Sequence, residues 1–156
     1  MAARRIPESE LILNDEGRIY HLNLTAEMVA DTIIVVGDPD RVPKISRYFD
    51  KIHFQESNRE LVTHTGEIGG KPLSIISSGM GTDNVELLMT ELDALVNIDF
   101  KSRKVNRRLK KLNIIRIGTS GCMQADIPLD ALLVSRAGLG LDTLMSFYDR
   151  SPSEDL

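Results

Sequence analysis

Two turns in this 156-residue chain join glycine to arginine at the end of an apolar run. The first is Gly37-Asp38-Pro39-Asp40-Arg41, after Thr32-Ile33-Ile34-Val35-Val36. The second is Arg116-Ile117-Gly118-Thr119-Ser120-Gly121, after Leu112-Asn113-Ile114-Ile115. Glycine permits close approach to the backbone, and the amides at a helix start point outward where the helix dipole favours negative charge. The planar fork of arginine donates two parallel hydrogen bonds to a phosphate, and Thr119 adds a hydroxyl donor. The two turns together describe a site for a small oxyanion such as phosphate. A plainer alternative is that each turn is ordinary and its arginine pairs with Asp38, Asp40 or Asp126. That alternative suffices for either turn alone; the pair favours a site.

Other residue types contribute less. Gly79-Met80-Gly81-Thr82-Asp83-Asn84 is a glycine-rich helix entry but neither G-x-G-x-x-G nor a P-loop, so its expected role is to let backbone pass close to a ligand. Gly118-Thr119-Ser120-Gly121-Cys122 lacks the last glycine of a hydrolase nucleophile elbow. His21, His53 and His64 are dispersed, without zinc-ligand spacing. His53 and His64 are expected to face water from strands, Cys122 to be a small buried hydrophobe, and Met80, Met89 and Met145 to fill the core. The basic run 101–111, which holds Lys101, Arg103, Lys104, Arg107, Arg108, Lys110 and Lys111, is expected to form a solvated helix face.

The elements that must position these residues follow from periodicity. The first 31 residues have mixed polarity and predict an arm lying mostly on the surface, with Thr25 capping a short helical turn. Thr32–Val36 is β-branched and continuously apolar, the pattern of a strand covered on both faces. Asp38 is expected to cap a helix with Pro39 at its first position and Val42, Ile45 and Phe49 inward, Pro43 still lying in the first turn. Leu61–Ile68 and Pro72–Ser77 flank Gly69-Gly70-Lys71, a hairpin signal. Val85, Leu88, Met89, Leu92 and Leu95 recur at helical spacing. Strands are expected around Ile114-Ile115 and at Ala131–Ser135, and a polar tail at 151–156. The alternation predicts a mixed α/β domain.

Bulk properties narrow the partners. Hydrophobic residues at 42% and charged residues at 27% describe an ordinary globular chain long enough for one core. Aromatics at 4% and a net charge of -4 argue against stacking on single-stranded nucleic acid and against general attraction to phosphate backbones or anionic membranes. The one cysteine cannot form an intrachain disulfide, and the N-terminus lacks the apolar stretch of a secretory signal. A cytoplasmic setting is the expectation.

Taken in order, His21-Leu22-Asn23-Leu24, Gly37-Asp38-Pro39-Asp40-Arg41-Val42, Ser57-Asn58-Arg59, Ser78-Gly79-Met80-Gly81 and Arg116-Ile117-Gly118-Thr119-Ser120-Gly121 resemble the N-terminal half of the nucleoside phosphorylase superfamily. The type is that of uridine phosphorylase and hexameric purine nucleoside phosphorylase, and the match runs from about His21 to Ser135. Thr119 and the His-Leu-x-Leu arm resemble the uridine branch. The resemblance implies a phosphorylase/hydrolase-like fold, a mixed central sheet flanked by helices, present as one truncated domain over 1–156 with an N-terminal arm at 1–31. It implies that Gly37, Arg41, Arg116 and Thr119 hold phosphate, Arg116 and Thr119 being the catalytic pair, and that Thr119 also lies near the ribose. Arg59 would complete the phosphate site and His21 would touch the ribose 5′-hydroxyl, both reaching into a neighbouring subunit of a homo-oligomer.

The implied reaction is phosphorolysis of a pyrimidine nucleoside: uridine and phosphate give uracil and ribose 1-phosphate. Inorganic phosphate is the co-substrate, and no metal or organic cofactor takes part. Two departures stand out: the basic run lengthens a connection, and the second half that carries base and ribose recognition in the family has no counterpart here. The alternatives are a non-catalytic phosphate- or nucleotide-binding remnant or subunit, a purine nucleoside phosphorylase, and a hydrolytic nucleosidase. Arg41, Arg59 and Arg116 argue against the last, because water attack needs no phosphate cradle.

Overall fold

A computed structural model describes residues 4–149, which fall into two compact units dividing between Gly118 and Thr119. The first unit is built on β1 (Thr32–Val36), the expected apolar strand. After it come α1 (Arg41–Ser46), β2 (Lys51–Asn58), β3 (Leu61–Ile68), β4 (Lys71–Ser77) and α2 (Thr82–Asn97). A two-residue pair, β5 (Ile98–Asp99) with β6 (Lys104–Val105), and the strand β7 (Asn113–Arg116) complete it. The main sheet runs β2-β3-β4-β1-β7, antiparallel across β2, β3 and β4 and parallel across β4, β1 and β7. The predicted hairpin is β3–β4, turned by Gly69 and Gly70, both at positive φ.

The chain leaves β1 toward β4 on one side and returns over it to β7 on the other, and the two helices are divided between the faces of the sheet. Side chains alternate along β1. Ile33 and Val35 join Leu88, Leu92, Ala94 and Leu95 of α2 in one core, while Val36 joins Val42 of α1 and Ile75 in a second. Burying each such side chain is worth about 1.5–3 kcal/mol, so the paired cores hold β1 firmly. The mixed α/β architecture with a central mixed sheet flanked by helices is the one expected. No helix among the described residues is long and apolar enough to cross a membrane.

Several local expectations are corrected. The N-terminal segment is not a surface arm: Leu11, Ile19, Leu22 and Leu24 are buried and join the α2 core. Their spacing resembles no single period because they enter the core from a turn-rich path, bridged at Leu13 and Ile19. Thr25 does precede a 3₁₀ turn, Ala26–Met28, but makes no side-chain cap bond to it. The first helix starts two residues later than expected, since the Asp38 carboxylate accepts the Asp40 amide at 2.9 Å and closes a turn before Arg41. Pro43 sits in the first helical turn, where its missing N–H costs nothing. Phe49 lies beyond the helix end yet still packs with Val42 and Ile45.

The basic run is not a helix face. The Asp99 carboxylate accepts the amides of Lys101 and Ser102 and closes the β5–β6 turn. Arg103 turns inward, 7% exposed, and donates to the carbonyls of Ile6, Pro7 and Leu11.

In the second unit the expected strand at Ala131–Ser135 is irregular and exposed, because no partner strand among the described residues offers it a ladder. One 3₁₀ turn, Leu144–Phe147, is its regular element. Leu129, Leu132, Val134 and Leu141 are each at least 90% exposed. Cys122 is exposed, its thiol bonded locally to the Gln124 backbone, and is not the buried hydrophobe expected. Met80 and Met145 are exposed as well; of the three methionines expected in the core, Met89 alone packs against it. The polar tail at 151–156 lies outside the described residues.

Candidate functional site

The parallel register aligns the carboxyl ends of three strands: Val36 pairs with Ser77, and Val35 with Arg116. The ladder carries on past the strands, the Ser78 amide bonding Val36 O at 2.8 Å and the Ile117 amide bonding Val35 O at 2.9 Å. Gly37, Gly79 and Gly118 therefore stand side by side just beyond one sheet edge. In open α/β sheets ligands bind at this edge, where the strand order reverses.

Arg116 is exposed, and its guanidinium lies over this row. Nη2 stands 3.8 Å from the position of a Cβ on Gly37, and Nη1 2.7 Å from that of a Cβ on Gly118. Any side chain at 118 would displace the guanidinium. Gly79 is tied down more strongly: it has φ +69°, and a Cβ there would meet Asn84 Nδ2 at 2.7 Å and Glu60 Cγ at 2.8 Å. Arg41 is half-buried and opens α1, four residues after Gly37. Among the described residues Arg41, Arg59 and Arg116 make no ion pair, so the pairing of an arginine with Asp38 or Asp40 is not formed.

Arg59 and His21 form a second group at the same edge. Arg59, at φ 55°, sits in the β2–β3 turn. That turn is tied to the end of β4 by Ser77 Oγ, which donates to Glu60 O at 2.6 Å and accepts the Val62 amide at 2.8 Å. A cavity of about 290 Å³ is lined there by Asn14, Tyr20, Asn23, Ser57, Asn58 and Arg59. The neighbouring Asn58 Nδ2 donates to the carbonyls of His21 at 2.9 Å and Tyr20 at 3.3 Å. The sequence-predicted residues thus gather as Gly37 with Arg116, Arg41 on the adjoining turn, and Arg59 with His21. Thr119 is an exposed residue of the second unit.

Glu91 was missed. Its carboxylate accepts the amides of His21 and Leu22 and contacts His21 Nδ1 at 2.7 Å. A signal existed: Leu88, Leu92 and Leu95 put Glu91 in the middle of the inward stripe of α2, where a carboxylate must find donors. His64 was misplaced, being half-buried rather than facing water. Its Nδ1 lies 2.7 Å from Ser46 Oγ, and burial lowers its pKa. No cluster of three or more His, Cys, Asp or Glu that could hold a metal occurs among the described residues.

The fold is of the open α/β class whose ligands bind at strand carboxyl ends. The chain belongs to the Phosphorylase superfamily, whose pattern matches residues 31–152. It is 32% identical to uridine phosphorylase of Thermococcus kodakarensis over 87% of this chain and 44% of that protein. It is 35% identical to uridine phosphorylase of Escherichia coli over 80% of this chain and 44% of the relative. A crystal structure of a Trypanosoma brucei nucleoside phosphorylase, described as showing uridine phosphorylase activity, superposes with a TM-score of 0.85 at 35% identity. It covers 93% of this chain and 50% of the other. The chain therefore spans less than half the length of the curated relatives it matches.

Proposed function

We propose that this chain supplies the phosphate-holding part of a uridine phosphorylase-type site. The observation that carries the reading is the Arg116 guanidinium lying over Gly37 at the switch point, with no ion pair to a carboxylate among the described residues. The similarity to relatives named uridine phosphorylases supports a nucleoside and phosphate as the substrate class. Gly37, Arg41 and Arg116 hold the phosphate. Arg59 and His21 serve the site of a second copy in a homo-oligomer.

In the reaction a phosphate oxygen attacks the anomeric carbon and the bond to the base breaks. The base leaves with that electron pair and gains a proton. Arginines positioned behind the sugar orient the nucleophile and stabilise the charge that develops, with inorganic phosphate the one co-substrate and no cofactor.

The test has two parts. Calorimetry on the purified chain is expected to detect phosphate, and Arg116→Ala to weaken that binding by about ten- to a hundredfold, the worth of one charge-assisted hydrogen-bonding group. Phosphate-dependent release of uracil from uridine then measures turnover by the chain itself. Absence of phosphate binding in the unsubstituted chain would overturn the reading. A second reading is a non-catalytic phosphate-binding subunit. Phosphate binding without uracil release would select it.

A further inference from the structure

Glu91 sits in an otherwise apolar stripe, its side chain 12% exposed, and faces the backbone of His21 and Leu22 and the His21 ring, far away in sequence. Oε1 accepts the His21 amide at 3.1 Å and lies 2.7 Å from His21 Nδ1, while Oε2 accepts the Leu22 amide at 2.8 Å. An ionised carboxylate has acceptors only, so the nitrogen that faces it must carry the hydrogen. On the other side Asn58 Nδ2 donates to the carbonyls of Tyr20 and His21, and the Tyr20 ring meets the imidazole edge-on at 4.9 Å and 89°. Backbone and ring are thereby held together, and His21 Nε2 is left without a hydrogen-bond partner among the described residues.

We propose that Glu91 is a positioning residue: it fixes His21 as the Nδ1–H tautomer and leaves Nε2 as the one free acceptor, suited to a hydroxyl donor. The link to substrate, a sugar hydroxyl, rests on the phosphorylase reading; the tautomer does not. Which ring nitrogen carries the hydrogen is set by what the other faces, and here that partner is 70 positions away in the chain. The neutral imidazole then accepts an O–H at Nε2 and offers nothing to a ligand group that only accepts. Asn58, adjacent to Arg59, ties the same His21 segment to the turn that carries the arginine, so the two side chains are presented as one unit.

The experiment is ¹⁵N-resolved NMR of the imidazoles in the purified chain, above the histidine titration range. There are three histidines, and His21 is assigned through His21→Gln. The expected result is the Nδ1–H tautomer at His21 and a change to mainly Nε2–H in Glu91→Leu, a substitution that suits the apolar stripe. Glu91→Asp, which keeps the carboxylate, should restore part of the Nδ1–H population. An Nε2–H tautomer in the unsubstituted chain overturns the proposal, and that reading does not depend on any variant folding. The same tautomer in both the unsubstituted chain and folded Glu91→Leu also overturns it. Uridine is then added, with 5′-deoxyuridine as the control lacking the hydroxyl. A shift of the Nε2 resonance with uridine alone supports the hydroxyl contact. No response to either, with the tautomer change intact, would count against the phosphorylase reading and still uphold the role of Glu91.

Discussion

Single residues set the chemistry of this edge, and two of them act through what they lack. Arg116 has no carboxylate partner among the described residues, and Gly118 has no side chain to push its guanidinium aside, so a positive fork stays in place over Gly37. His64 shows the opposite economy: it is drawn half inside, bonded to Ser46 Oγ, and burial disfavours its charged form. The sign follows from linkage. With the folded-state pKa depressed, the unfolded chain binds the proton more readily, so the contribution is whole above about pH 6.5 and declines as pH falls below it. Thermal unfolding followed between about pH 7.5 and 5 should show a smaller loss of Tm in His64→Gln than in the unsubstituted chain. Equal losses would mean that His64 does not titrate into the stability.

At the scale of elements, the N-terminal segment and the basic run explain each other. Arg103, at φ 55°, ties three carbonyls of residues 6, 7 and 11, and its own carbonyl accepts the Ile6 amide at 2.8 Å. Arg103→Ala strands those carbonyls and is expected to cost about 2 kcal/mol, with faster amide exchange across residues 6–11 as the local signature. Unchanged exchange there would remove the clamp from the account. Neither half of this arrangement was legible locally. A run of seven basic residues within eleven reads as a solvated face, and a turn-rich segment with scattered leucines reads as a surface arm. The β1 strand, the β3–β4 hairpin and α2 were legible, because period-two and period-3.6 patterning is imposed by which face is covered.

At the scale of the whole molecule, the sheet ends at β7 with its apolar residues open: Ile114, Ile115 and Ile117 are 38%, 53% and 46% exposed, and among the described residues β7 pairs with β1 alone. An uncovered edge strand is a template for another strand. The chain alone is expected to self-associate through this edge, and Ile115→Lys to shift sedimentation toward the monomer. A monodisperse monomer for the unsubstituted chain would refute this.

The sequence by itself determined the strand-turn units that end in Gly37 and Gly118, and with them Arg41 and Arg116, because each is written in residues only a few positions apart. Ordered motifs from His21 to Gly121 also sufficed to identify the family. Only the tertiary structure decided that β4, β1 and β7 lie side by side, bringing Arg116 over Gly37 across 79 positions of chain. It also decided that Glu91 and Asn58 hold His21 from 70 and 37 positions away. Those contacts come from strand order and core packing, in which partners are chosen by the burial of distant surfaces and leave no period in the local sequence.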